Sequence, residues 1–179
     1  MTINVNYNDQ GQRHGYGEQI YSNGDKFVCN YENGLKQGPA IFQKINGVIQ
    51  YLFYVNGLRH GKAVTFYPDG LQHRFTYFNG VPEGKMTFLK SNGVTIKCLF
   101  LNGNKNGPAK TFYPNGDVVV YTFQDGLMEG NAFLKTSYGI YRTQFIKNVP
   151  QQDWIPLEGD FIEMNDQTTL NNSIQCLCD

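Results

Sequence analysis

Along this chain, short apolar runs alternate with polar turn residues at a steady beat. Thr65-Phe66-Tyr67, Thr111-Phe112-Tyr113 and Val118-Val119-Val120-Tyr121 are typical runs. Aromatic and β-branched residues of this kind suit a pleated, half-buried surface. Between the runs stand Asn-Gly or Asp-Gly dipeptides, the strongest short signal for a β-hairpin. No window of about 12 residues carries a helical period. The pattern predicts strands of roughly 5–7 residues joined by tight turns.

The beat is 23 residues. Gly15, Gly38, Gly61, Gly84, Gly107 and Gly130 step by 23, and so do Gly24, Gly47, Gly70, Gly93, Gly116 and Gly139. A third series, Gly34, Gly57, Gly80, Gly103 and Gly126, ends where Val149 replaces the glycine. The register from Gly15 to Val149 reads as unbroken. Asn or Asp precedes the glycine at Asn23, Asn46, Asp69, Asn92 and Asn115, and again at Asn33, Asn56, Asn79, Asn102 and Asp125. Tyr138 and the pair Asn148-Val149 break the two series in the last repeat. Both series predict type I′ turns, with positive φ at both central residues. The second and third glycine series are thus turn glycines. A period of this regularity implies stacked units that touch mainly their neighbours. The expected fold is all-β: a single-layer antiparallel meander of about 12 strands, six hairpin repeats forming an elongated twisted ribbon.

One column carries a ring in five of six repeats: Tyr31, Tyr54, Tyr77, Phe100 and Phe123, with Ile146 last. Two residues earlier stand Cys29, Leu52, Phe75, Cys98, Tyr121 and Gln144. Alternate strand residues share a face, so the two columns form one apolar stripe. The stripe reads as core. Its rings are also the first candidates for a partner-binding groove, together with Trp154 and Phe161 beyond the repeats.

The first repeat reads Gly15-Tyr16-Gly17-Glu18-Gln19-Ile20-Tyr21-Ser22-Asn23-Gly24-Asp25-Lys26-Phe27, followed by Tyr31-Glu32-Asn33-Gly34. It resembles a MORN repeat (membrane occupation and recognition nexus), with a GxG opening, an NGD turn and spaced aromatics. Six copies in register cover residues 15–149. Later copies depart from the pattern. The second opening glycine becomes Ala40, Ala63, Met86, Ala109 and Ala132, and segments such as Gly107 to Gly116 resemble a variant MORN class. The resemblance implies a scaffold subunit of a larger assembly, cytoskeletal or ciliary. The alternative it implies is a peripheral membrane adaptor that binds phospholipid and a partner protein.

Charge bears on that choice. Fifteen basic and fifteen acidic residues balance to zero, which argues against nucleic acid as a partner and weakens the attraction to anionic lipid. Arg13, Lys36, Arg59 and Lys105 share one column. They read as solvated turn charges, or as a local basic edge. Membrane binding is not expected, and homodimerisation is open. The first residues have no basic start and no apolar core, so a cytoplasmic, cytoskeletal or ciliary location is expected.

Chemistry is sparse. Cys29 and Cys98 stand six strands apart, roughly 29 Å at the usual spacing, too far for a disulfide. They read as small core residues. Cys176 and Cys178 form a CxC, a poor metal site without further ligands. His14 and His60 precede opening glycines and read as turn residues, as do Asp25 and Asp117 after turn glycines. Neither a P-loop nor GxSxG nor HExxH occurs. The expectation is no enzyme, no cofactor and no metal.

The chain divides into an N-terminal half-repeat cap (1–14), six repeats (15–150) and a C-terminal segment (151–179). In the first, Gln10-Gly11 aligns with the second turn. In the last, Trp154, Ile155, Leu157, Phe161, Ile162 and Met164 are too apolar for a free tail. Leu170, Ile174 and Leu177 would suit one short helix. This segment either folds back over the last strand edge or inserts into a partner.

Overall fold

The computed structural model describes residues 2–157. The chain forms two compact units, Met1–Ser91 and Asn92–Asp179. Both are all-β and antiparallel, each rung pairing with its neighbour in sequence; β5, β8 and β15 each pair with the two strands that follow. The first unit holds β1 (Thr2–Tyr7), β2 (Arg13–Ile20), β3 (Lys26–Glu32), β4 (Leu35–Gln43), β5 (Ile49–Val55), β6 (Leu58–Arg59), β7 (Gly61–Phe66), β8 (Gln72–Phe78), β9 (Val81–Pro82) and β10 (Gly84–Leu89). The second holds β11 (Thr95–Leu101), β12 (Asn104–Phe112), β13 (Val118–Gln124), β14 (Leu127–Lys135), β15 (Ile140–Ile146), β16 (Val149–Pro150) and β17 (Ile155–Pro156). β6 with β7, and β9 with β10, are single rungs interrupted at His60 and Glu83. Counting each pair once, and setting aside β1, β16 and β17, leaves the twelve rungs of six repeats.

The two turn series differ, which corrects the expectation of type I′ turns at both. At the second series, Asn33, Asn56, Asn79, Asn102 and Asp125 have φ of 47 to 51° and the following glycines are also positive, as type I′ requires. At the first series only the glycine is positive; Asn23, Asn46, Asp69, Asn92 and Asn115 are not in the left-handed region. The chain there makes a type I turn closed by a left-handed glycine: Gly24 N–H donates to Tyr21 O, and Tyr21 N–H to Asp25 O. In these turns the Asn or Asp side chain accepts from the backbone two residues on. Asn23 Oδ1 takes Asp25 N–H at 3.1 Å, Asp69 takes Leu71 N–H at 3.0 Å and Asn115 takes Asp117 N–H at 3.2 Å. One dipeptide thus serves two backbone geometries.

The opening glycines do a third job. Gly15, Gly38, Gly61, Gly84, Gly107 and Gly130 all have positive φ within or at the start of a strand. In β3–β4 the pairing jumps from Cys29↔Ala40 to Asn30↔Gln37, so Gly38 and Pro39 form a bulge. Such bulges bend and twist the strand.

The last repeat slips by one residue. Gly107 pairs with Phe123, yet its equivalent Gly130 pairs with Phe145, not Ile146. The cause lies in the turn. Five residues separate the end pair Phe112↔Val118, and four separate Lys135↔Ile140. Gly139 has φ 151°, against 82–90° for the glycines of the other first-series turns, and the loop is one residue shorter. A one-residue shift exchanges the two faces of a strand. Thr143 and Phe145 therefore face inward, while Gln144 and Ile146 lie exposed. The next turn is Lys147-Asn148, φ 46 and 68°, rather than Asn148-Val149.

Each unit buries one face of its strands. In the first unit Phe27, Cys29, Tyr31, Ala40, Leu52, Tyr54 and Ala63 form the core, with Val5, Tyr21, Phe42, Phe75 and Tyr77 packed at its margin. Phe27 meets Tyr54 edge-on at 6.1 Å and 87°, a favoured aromatic geometry. Small residues make the bed beneath the rings. A Cβ on Gly17 would stand 2.7 Å from Cε2 of Tyr31, and the equivalent Ala40, Ala63, Ala109 and Ala132 are buried. The second unit buries Cys98, Ala109, Tyr121, Phe123 and Ala132.

After the repeats the chain turns back along β15. Tyr141 pairs with Pro156 and Arg142 with Ile155. Thr143, fully buried, donates its hydroxyl to Gln152 O at 2.7 Å. Phe161, Ile162, Met164, the proposed helix and the Cys176–Cys178 pair lie outside the described residues.

Candidate functional site

The aromatic column sits mostly inside. Tyr31, Tyr54 and Phe123 are buried, Tyr77 and Phe100 half-buried. A buried ring has little surface left to offer a partner. Of the tail candidates, Trp154 is exposed beside β17, and Phe161 lies outside the described residues.

The basic column lies on these rings rather than in solvent. The Arg13 guanidinium carbon stands 5.4 Å from the Tyr31 centroid. Lys36 Nζ is 4.5 Å from Phe27 and 5.2 Å from Tyr54. Arg59 stands 5.6 Å from Tyr77 and Lys105 5.0 Å from Phe123. All four cations are half-buried. Each distance is within cation–π range. The same residues are tied at the backbone: Arg13 O, Lys36 O, Arg59 O and Lys105 O accept from Gly34, Gly57, Gly80 and Gly126 N–H in the next repeat's turn. The column thus stitches neighbouring repeats. The residues before the opening glycines add to it. Gln37 Oε1 accepts from Asn56 N–H at 2.8 Å, and Glu129 Oε2 from Lys147 N–H at 2.9 Å.

The opposite face of the first unit carries an apolar patch. Register places Val28, Ile41, Tyr51 and Val64 in one row across β3, β4, β5 and β7. Ile49 and Phe66 pair in the adjacent row, and Phe53 stands opposite Pro39. Tyr51 is 46% exposed and Phe53 44%. Tyr51 and Phe66 meet edge-on at 6.0 Å and 88°. Lys26, Lys62 and Arg74 share this face by strand alternation. Lys26 bridges Glu18 at 2.9 Å, and its ammonium holds the Glu18 carboxyl below its ordinary range. The two columns of the apolar stripe lie on the core face, and this patch lies on the other. The signal was present: Ile49-Gln50-Tyr51-Leu52-Phe53-Tyr54-Val55 is apolar on both parities, so both faces of β5 are apolar.

Other reactive groups are quiet. Burial raises the Cys29 thiol, and pushes that of Cys98 up to about 11. His73 is packed among Tyr67, Phe75 and Phe88, with Nδ1 3.2 Å from the Tyr67 hydroxyl. Among the described residues no group of three or more His, Cys, Asp or Glu is placed to hold a metal ion, and no helix is long and apolar enough to cross a membrane.

The periodic turns, bulges and small-residue bed are joined by a direct match. Residues 9–26, 53–72 and 99–118 match the MORN repeat family. The chain carries MORN repeats. The matched segments each span a first turn of the 23-residue unit or its approach. No curated protein is similar in sequence to this MORN-repeat chain. Among solved structures, the TCP domain of Drosophila melanogaster SAS-4 (dCPAP), in complex with a proline-rich motif of Ana2 (dSTIL), is 12% identical. The match covers 79% of this chain and 76% of that one, with a TM-score of 0.47. The G-box domain of the microcephaly protein CPAP is 15% identical over 80% and 87% of the two chains, with a TM-score of 0.45. Likenesses this distant carry nothing about what the MORN repeats here bind.

Proposed function

We propose that this chain is a non-catalytic protein-binding scaffold, and that it holds its partner on the face of Tyr51, Phe53 and Phe66. The observation that carries this reading is a contiguous apolar surface on the side of the sheet away from the core. Exposed aromatic clusters of this kind mark interaction sites and dominate interface energetics. The cytoskeletal or ciliary setting follows from the MORN resemblance alone. The same reading divides the chain into a starting half repeat (1–14), six repeats (15–150) and a closing segment (151–179) that caps the array or docks on the partner. A peripheral membrane adaptor fits less well, because the periodic cations rest on aromatic rings and anionic lipid binding draws on cations that reach the headgroups.

The test is affinity purification from the native cell with wild type and a Tyr51→Ser/Phe53→Ser variant. Both side chains are exposed, so the variant should keep its Tm within a few degrees. The expected result is that a protein retained by wild type is lost from the variant. Retention of every partner by a folded variant would refute this face as the site. Salt-sensitive sedimentation with anionic vesicles would replace the reading by the membrane adaptor.

A further inference from the structure

The two ends of the array are built differently. At the C-terminal end, β16 and β17 have two residues each, and both finish in proline, Pro150 and Pro156. Proline cannot donate to a ladder, and short strands with proline are a common way of blocking an edge. At the N-terminal end, β1 is six residues long and reads Thr2-Ile3-Asn4-Val5-Asn6-Tyr7. It carries no charge and no proline. Among the described residues β1 pairs with β2 alone, and no described strand takes the backbone donors and acceptors of its other edge.

The side chains of β1 lack a described neighbour in the same way. Ile3 and Phe27 stand on either side of Gln19, and Val5 and Cys29 on either side of Gly17. Ile3 and Val5 therefore lie on the core face, and alternation brings Tyr7 to it as well. Phe27 and Tyr31, with strands on both sides, are 5% and 7% exposed; Ile3 and Tyr7 are 39% and 60% exposed. The difference is that no described strand lies beyond β1.

We infer that β1 is a self-association edge, and that a second copy of this chain supplies the next rung by antiparallel β1–β1 pairing about a two-fold axis. The strand is self-complementary in the register centred on Val5. Ile3 then faces Tyr7 of the second copy, Val5 faces Val5, and Asn4 faces Asn6. That register continues the core face across the junction. Uncharged strands and a net charge of zero leave no repulsion to oppose it. The pairing is isologous, so it closes at two copies. A single edge contact buries less than the roughly 1,200 Å² of a standard interface, so the dimer is expected to depend on concentration.

Sedimentation velocity over a dilution series tests this with wild type and an Asn4→Lys/Asn6→Lys variant. The substitutions leave the apolar side chains in place and set like charges opposite one another across the axis. Wild type should shift from monomer to dimer as concentration rises, and the variant should remain monomeric with an unchanged Tm. A wild type that stays monomeric, or a folded variant that dimerises equally well, overturns the inference. Amide exchange gives a second readout that needs no variant. The Ile3–Asn6 amides of wild type should gain protection with concentration, and concentration-independent exchange there also overturns it.

Discussion

Single residues in this chain are read largely through backbone geometry. Asn-Gly is legible as a turn, but the dipeptide does not reveal which of its residues must be left-handed. That depends on loop length, which sequence spacing leaves open. The two roles separate under one substitution. Asn56→Gly keeps positive φ accessible in a type I′ turn and should change stability by less than about 0.5 kcal/mol. Asn46→Gly removes the acceptor of Val48 N–H at 3.3 Å and should cost about 0.5–1.5 kcal/mol, the net worth of one hydrogen bond. Urea titration of both measures it; equal effects would contradict the assignment of turn types.

Cys98 is the other residue-scale case. Its thiol ordinarily ionises near 9.0, and burial moves it to about 11 in the fold. Below pH 9 both folded and unfolded chains hold the proton, and its contribution to stability is complete. Between pH 9 and 11 the unfolded chain releases a proton that the folded chain keeps, so stability falls as pH rises. Thermal melts should show that alkaline decline, smaller in Cys98→Ala. Residue-resolved alkylation at pH 8 should leave Cys98 unmodified until the chain unfolds, since roughly one thiol in a thousand is then ionised.

At the scale of the element, the hairpin period was legible and two of its consequences were not. The opening glycines mark bulges, and a bulge glycine looks the same in sequence as any conserved-looking spacer. In the last repeat the pairing shifts so that the loop holds one residue fewer, and the sequence showed this only as Gln144 and Ile146 in apolar columns and Val149 in place of glycine. Those three departures share one physical cause, the shorter turn at Tyr138-Gly139. The basic column also changed meaning. Arg13, Lys36, Arg59 and Lys105 looked like turn charges because spacing does not say where a long side chain lies. Their stems and heads cover aromatic rings, as amphipathic side chains often do.

At the scale of the whole molecule, the repeat explains why two kinds of apolar surface coexist. The 23-residue period repeats one core-face pattern in most units: rings, small residues at Gly17, Ala40, Ala63, Ala109 and Ala132, and cations over the rings at Arg13, Lys36, Arg59 and Lys105. The opposite face is free of that constraint, and in repeats 2 and 3 it carries Tyr51, Phe53 and Phe66 close together. Function on a repeat scaffold is expected where the repeat is least regular, because the regular positions are committed to stacking. Site-directed photo-crosslinking tests most directly whether this face is the partner surface. A photoreactive phenylalanine analogue replaces Phe53 in one variant and Tyr113, an exposed turn residue of the second unit, in another. Irradiated in native cell extract, the variant at 53 should give a discrete adduct with one protein, and the variant at 113 none; an adduct from 113 alone, or none from 53, contradicts the account.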